Sequence, residues 1–152
     1  MSSSLSFLQG IPKTQLGRLN RVQCTAARVV TCTKKYTPVN ILNELHWLPV
    51  AQRISFKILL LVFKSLSGLG PQYLTELLDT YIPARSLRSE DKLLLVIPKT
   101  RLITAGDRAF GVAGPKLWNA LPNDIRSTRS LVTFKSKLKS YLFKQAERDN
   151  GF

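Results

Sequence analysis

Residues 50–66 constrain the fold most tightly, because their apolar side chains lie on nearly every side of the helix that they predict. Eight of the ten residues from 54 to 63 are apolar. Pro49 suits the start of this helix, and Gly68 and Gly70 suit its end. A helix that is apolar all round must be covered on most sides, so we expect it at the centre of the core.

Two longer segments have the one-sided spacing of amphipathic helices. From Lys13 to about Lys34, apolar residues recur at intervals of three and four and mark one side of a helix. Ser130 is a good N-cap for a last helix, which carries a second stripe. The first stripe comprises Leu16, Leu19, Val22, Ala26, Val29 and Val30, and the second comprises Leu131, Phe134, Leu138, Tyr141 and Leu142.

Proline and glycine divide the rest of the chain into shorter elements. Short helices are predicted after Pro38 and after Pro71, since proline is favoured at the first helical position. Gly114-Pro115 predicts a break between two further short helices, at about 108–113 and 116–120.

The middle of the chain changes character. The apolar run 93–97 and the segment 101–104 predict two short strands, which would form a small β-hairpin-like insertion near 93–104. The predicted fold is therefore mainly α, with four to five helices around the central buried helix and this insertion. We expect a flexible N-terminal segment at 1–12, a single helical domain over 13–146 that could divide near 80–106, and a loose tail at 147–152.

Charge is the most unusual property of the composition. The chain has 23 Lys and Arg against nine Asp and Glu, a formal net charge of +14, and both halves of the chain share the excess. Such a surface attracts polyanions, because each cation near a phosphate releases condensed counterions. Nucleic acid is the favoured partner, ahead of an anionic membrane. The plain alternative is that the charge only keeps the protein soluble.

Residue types for metal or nucleophilic chemistry are scarce. Cys24 and Cys32 are the only cysteines, and two helical turns would hold them about 12 Å apart, too far for a disulfide. We expect reduced, partly buried thiols in an intracellular protein of the nucleus or cytoplasm. With His46 as the only histidine, neither a zinc finger nor a Ser/His/Asp triad can be built. We predict no cofactor, no metal ion and no catalytic residue.

No segment of the sequence predicts secretion or membrane insertion. No basic segment followed by a cleavable apolar core opens the chain. The longest strongly apolar run, 58–63, is far too short to cross a bilayer. We therefore expect a protein that is neither secreted nor membrane-spanning.

Several motifs occur in a familiar order along roughly residues 8–143. They are Gly10-Ile11-Pro12-Lys13, Leu45-His46-Trp47-Leu48-Pro49-Val50, Gly106-Asp107-Arg108-Ala109-Phe110, Pro115-Lys116-Leu117-Trp118-Asn119-Ala120-Leu121-Pro122 and Ser130-Leu131 with Phe134-Lys135. Together they resemble the C-terminal region of the reverse-transcriptase polyprotein of LINE-type (non-LTR) retrotransposons, downstream of the catalytic palm. Several motifs in the same order identify a family more specifically than any one of them alone.

The resemblance implies a piece without the polymerase active site. In that family, clustered aspartates that include an adjacent pair hold two metal ions for phosphoryl transfer. This chain has no Asp-Asp pair, and Glu90-Asp91 lies in a basic, loop-like stretch. We therefore expect a protein that is not an enzyme and binds RNA or DNA without sequence preference beside the polymerase. The alternatives are a structural module that packs on the polymerase thumb, with the upstream domain as its partner, and a truncated relic with no selected function.

The nucleic-acid contacts are expected from basic residues that meet backbone phosphates and not base edges. The plain alternative is a solvated surface with one or two ion pairs. Loop and strand candidates are Arg85, Arg88, Lys92, Lys99, Arg101 and Arg108, and candidates before and on the last helix are Arg126, Arg129, Lys135, Lys137 and Lys139.

Three aromatic-ring residues have competing interpretations. His46 and Trp47 sit at a helix junction before proline and are predicted as packing and capping residues, ahead of nucleic-acid contact. Trp118 is predicted to anchor a small C-terminal core, ahead of a role in stacking on a base.

Overall fold

The computed structural model of the protein is mainly helical, which confirms the predicted mainly α class, but the described helices outnumber the four to five predicted because several are single turns. It describes residues 13–33, 41–82, 93–99 and 109–149, so the predicted segments 1–12 and 101–104 lie outside the described residues. Seven helices lie in the described part of the chain: α1 (Lys13–Thr31), α2 (Ile41–Glu44), α3 (Val50–Leu66), α4 (Gln72–Thr75), α5 (Phe110–Ala120), α6 (Asn123–Arg126) and α7 (Leu131–Asp149).

Helix α3 lies at the centre, as its apolar surface predicts. It contacts α1, α4, α5 and α7. Ile58, Leu59, Val62 and Phe63 are all buried in the main apolar core. The helix begins directly after Pro49 and ends at Leu66, with Ser67 as its C-cap. The next residue, Gly68, has a φ of +69°, a left-handed conformation that glycine adopts without steric cost.

Aromatic rings join α3 to α5 and α7. The ring of Phe63 stacks on that of Phe134 with a centroid distance of 4.2 Å, and Trp118 lies 5.9 Å from Phe134 in a tilted arrangement. Trp118 is 2% exposed, and its indole Nε1 donates a hydrogen bond of 2.8 Å to the carbonyl oxygen of Leu93. The predicted packing role of Trp118 is confirmed. This burial argues against its alternative role in base stacking.

The predicted break at Gly114-Pro115 is wrong, because α5 runs through it without interruption. An added Cβ at Gly114 would lie 2.9 Å from Cγ2 of Val62, so glycine lets α5 approach α3 closely. Pro115 is itself fully buried. The apolar contacts along this close approach offset the cost of about 3 kcal/mol that an internal proline imposes on a helix.

Helix α1 turns a different side to the core than its apolar stripe indicates. Val22 and Val29 are 68% and 72% exposed, whereas Gln23 and Ala27 are buried. Hydrogen bonds from polar residues accompany this orientation of α1. Nε2 of Gln23 donates to the carbonyl oxygen of Leu48 at 2.9 Å. On the same side, Oδ1 of Asn20 accepts from the backbone N–H of Val50 at 3.2 Å. The N–H of Val50 lies in the first turn of α3 and has no partner within the helix, so Asn20 supplies one. The two bonds together fix α1 against the start of α3.

The segment 93–99 forms no strand in the described part of the chain, and the predicted hairpin is not supported. Leu95 makes one isolated antiparallel bridge, to Thr80. Both backbone hydrogen-bonding groups of Leu95 are instead bonded to a side chain. Oδ1 of Asn119 accepts from the N–H of Leu95 at 2.9 Å, and its Nδ2 donates to the carbonyl oxygen of Leu95 at 2.8 Å.

Helix α7 packs through the predicted stripe. Phe134, Leu138 and Leu142 are buried in the main core, and the partly buried Leu131 and Tyr141 pack against it. The backbone carbonyl of Ser130 accepts from the N–H of Phe134, as expected for a residue that precedes the first turn. The helix continues to Asp149, three residues into the segment predicted as a tail.

The first prediction compares two leucines of α3. Leu59 is buried, whereas Leu61 is only partly buried. Leu59→Ala should therefore lower the free energy of unfolding by about 2–5 kcal/mol, and Leu61→Ala by clearly less. Urea denaturation followed by circular dichroism measures both losses. Equal losses for the two variants would show that α3 is oriented differently.

The second prediction concerns the approach of α5 to α3. Gly114→Ala should destabilise the protein by about 1–3 kcal/mol, since the new methyl group meets Val62. Gly17→Ala is the matched control, because nothing lies within 4 Å of its added Cβ. That control should gain up to about 1 kcal/mol from helix propensity.

A double-mutant cycle tests the cause of the Gly114 effect. In a Val62→Ala background, Gly114→Ala should cost less, with a coupling of about 0.5–3 kcal/mol. Additive losses would show that the two residues do not meet.

Candidate nucleic-acid interface

The sequence candidates that the structure describes do not form one surface. Five of the eleven, Arg85, Arg88, Lys92, Arg101 and Arg108, lie outside the described residues. The other six are in the described part and have different surroundings. Lys139 lines a groove, Arg126 and Arg129 line a pocket, Lys137 is ion-paired, and Lys99 and Lys135 are exposed and line neither cavity.

A groove between the start of α3 and the middle of α7 brings together basic and aromatic side chains. We call it the α3–α7 groove. Its volume is about 320 Å³. It is lined by His46, Trp47, Leu48, Arg53, Phe56, Lys57 and Lys139.

Two helices supply the charges of the α3–α7 groove. Arg53 and Lys57 are four residues apart on α3, so they lie on the same side one turn apart. Lys139 comes from α7, and its Nζ also lies 5.8 Å from the ring centroid of Phe143. All three basic residues are exposed. No Asp or Glu is among the described residues that line this groove, so nothing in the lining neutralises them.

The junction before α3 supplies the rings of the groove. The backbone N–H of Trp47 donates to the carbonyl oxygen of Leu42 at 2.7 Å, and Trp47 packs on the small cluster of Ala27 and Leu42. His46 has a φ of +53°, and its Nδ1 lies 3.3 Å from the carbonyl oxygen of Glu44. Trp47 packs as predicted, whereas His46 is exposed, and both residues also line the groove.

Sequence reasoning missed Arg53 and Lys57 as binding candidates. The available signal was a basic pair at a spacing of four on a helix that is otherwise apolar nearly all round. Such a pair marks the one side of α3 that reaches solvent. Because the preceding motif contains His46 and Trp47, that side also begins next to aromatic rings.

Lys137 forms an ion pair, as in the alternative interpretation of the basic residues as a solvated surface with one or two ion pairs. Its Nζ lies 3.1 Å from both carboxylate oxygens of Asp124 and 3.3 Å from the carbonyl oxygen of the same residue. This exposed ion pair connects α6 to α7. A phosphate at Lys137 would have to compete with it, so Lys137 is a weaker candidate than Lys139.

Arg126 is not the exposed cation that a phosphate-lined surface requires, because it is only 7% exposed. Its Nη1 donates to the carbonyl oxygen of Asn119 at 3.3 Å, while its buried Nε has no hydrogen-bond acceptor. Burial lowers the pKa of Arg126, since desolvation disfavours the charged form. A guanidinium nonetheless keeps its proton in proteins.

Arg126 and Arg129 line a second cavity, which we call the Arg126 pocket. Its volume is about 630 Å³. The pocket also borders Phe63, Leu66 and Ser67 at the end of α3 and Leu93 and Leu95 of the extended segment.

Metal-binding groups are sparse in the described residues, where no three His, Cys, Asp or Glu side chains come together. Cys24 and Cys32 are free thiols; Cys24 is partly buried, and Cys32 is exposed, contrary to expectation. None of the described helices combines the length and the apolarity that crossing a membrane requires.

Comparison with known proteins adds no relative. The chain matches no protein-family model, no curated protein and no solved structure.

Proposed function

We propose that the protein binds RNA or DNA without sequence preference and has no catalytic role of its own. The observation that carries this proposal is the α3–α7 groove, where three exposed basic residues from two helices surround aromatic rings without a lining carboxylate. A polyanion entering this groove would release counterions at each contact, which favours binding whatever the base sequence.

The geometry of the groove favours a single strand. Arg53 and Lys57 are about 6 Å apart along the axis of α3, so they can reach neighbouring phosphates of one strand. Trp47 and Phe56 are partly exposed rings beside these charges. A base that stacks on such a ring gains about 1–3 kcal/mol regardless of its identity. A volume of about 320 Å³ accommodates a nucleotide unit rather than a duplex.

We further infer that the chain derives from the C-terminal region of a LINE-type reverse-transcriptase polyprotein. The order of the motifs along residues 8–143 supports this inference. The motif that contains His46-Trp47-Leu48 contributes three residues to the groove lining. In this setting the protein would hold template RNA or target DNA beside the polymerase, inside the cell, and the polymerase domain would be a second partner.

A second candidate function is packing against another protein surface. The apolar side of α1 favours it, since Leu19, Val22, Val29 and Val30 are all exposed. None of these residues lines the α3–α7 groove, so the two functions can be separated by substitution.

The third prediction tests the groove through the salt dependence of binding. We expect a variant with Arg53→Gln, Lys57→Gln and Lys139→Gln to lose affinity for a fluorescein-labelled single-stranded oligonucleotide. For single strands the slope of log K against log salt is about −0.7 per phosphate neutralised. Three lost contacts should therefore make the slope shallower by about 2 units. Fluorescence anisotropy between about 50 and 200 mM salt measures the slope.

A matched variant controls for net charge. Lys99→Gln, Lys135→Gln and Lys144→Gln remove three exposed charges that lie outside the α3–α7 groove. This control should keep most of the slope, and circular dichroism should show both variants folded. An unchanged slope in the groove variant, or an equal change in the control, would contradict the proposal and leave packing through α1 as the favoured function.

A further inference from the structure

The Arg126 pocket lies at the opposite end of α3 from the groove. Phe63 and Leu66 of the last turn of α3 and the following Ser67 line it, whereas Arg53 and Lys57 are in the first two turns of α3. Its volume of about 630 Å³ is in the range of sites that bind small organic molecules. The two cavities share no lining residue.

Arg126 brings a buried charge to this pocket, and no counterion for it lies among the residues that the structure describes. Of the five N–H groups of its guanidinium, the structure pairs one, through Nη1, with the carbonyl of Asn119. Asp124 is the nearest acidic residue along α6, and its carboxylate is held by Lys137 at 3.1 Å. The described residues that line the pocket include no Asp or Glu.

An uncompensated buried charge is expensive, because the protein interior does not replace its hydration. In folded proteins such groups are paired with an opposite charge or bind one. An anion from outside would therefore complete this site.

The surroundings of Arg126 indicate which anion fits. Arg129 and Ser127 also line the pocket, so a second arginine and a serine come from the same short segment. Planar guanidinium forks match the oxygens of phosphate. The hydroxyl of Thr128 is already used, since it donates to the carbonyl oxygen of Asp124 at 3.2 Å. Phe63, Leu66 and Leu93 form an apolar wall for the rest of a ligand.

We propose that the Arg126 pocket binds a phosphate monoester carried on an apolar or planar organic body. A free mononucleotide and the phosphorylated end of a nucleic-acid strand share this chemistry. The proposal goes beyond backbone binding in the α3–α7 groove, and each of the two can fail without the other.

Calorimetric titration of the full chain tests the site with defined probes. Adenosine monophosphate should bind measurably more tightly than adenosine, because the phosphate pairs with Arg126. It should also bind more tightly than inorganic phosphate, because the apolar wall contacts the organic body. Binding of the monophosphate no tighter than that of adenosine would overturn the proposal.

Substitution of Arg126 separates a binding role from a structural one. Arg126→Met should weaken binding of adenosine monophosphate about 10- to 100-fold, the loss that corresponds to one charge-assisted contact. It should remain folded in phosphate-free buffer, since removing an unpaired buried charge offsets the loss of one long hydrogen bond. Lys135→Met, which removes an exposed charge outside the pocket, should leave the affinity unchanged.

If the Arg126→Met variant does not fold, Arg126→Lys is the variant that tests the binding role. It keeps the charge but loses the guanidinium fork, so the affinity should fall while the fold is retained. Wild-type affinity in either folded variant would overturn the proposal.

Two further titrations distinguish the sources of the phosphate. An oligonucleotide with a 5′-phosphate that binds more tightly than its 5′-hydroxyl form, by a difference that Arg126→Met removes, would assign the site to strand ends. An equal affinity of the two forms, together with binding of adenosine monophosphate, would assign it to free nucleotides. The groove variant with Arg53→Gln, Lys57→Gln and Lys139→Gln should bind adenosine monophosphate as the wild type does.

Discussion

The close packing of α3 against α5 and α7 positions both the α3–α7 groove and the Arg126 pocket. Val62 meets Gly114 on one side of α3, and Phe63 stacks on Phe134 on another. This packing holds the first turns of α3 beside Lys139 of α7, which creates the groove. It also places the end of α3 beside Trp118 and Arg126, which creates the pocket. Both cavities therefore depend on one buried helix, and their charged residues lie where that helix meets solvent.

Polar side chains decide details that apolar burial leaves open. Gln23 and Asn20 bond to backbone groups at the start of α3, and these two bonds orient α1. The cost is an exposed apolar stripe on the other side of α1. The side chain of Asn119 similarly forms hydrogen bonds with the backbone N–H and the carbonyl oxygen of Leu95. These bonds hold the extended segment beside Trp118. Leu48 and Leu95 are buried, so their backbone groups would be costly to leave without these partners.

Local pattern predicts only part of this structure. The apolar spacing of α3 and α7 was sufficient, because each helix buries the side that its own sequence marks. The prediction of a helix break at Gly114-Pro115 is wrong because it considers only neighbouring residues. Gly114 packs against Val62, which is far away in sequence. The candidate site likewise depends partly on local sequence and partly on residues that are distant in the chain. Lys139 was predicted, but its partners Arg53 and Lys57 come from a distant helix, and Arg126 was predicted without any sign that it would be buried.

Lysine footprinting by acetylation and mass spectrometry tests the location of nucleic-acid binding most directly. Lys57 and Lys139 line the α3–α7 groove, whereas Lys135 and Lys144 are exposed on α7 outside it. With a saturating single-stranded oligonucleotide, acetylation of Lys57 and Lys139 should slow markedly, while Lys135 and Lys144 should react as in the free protein. Equal protection of all four lysines, or protection of Lys135 and Lys144 alone, would contradict binding in the groove.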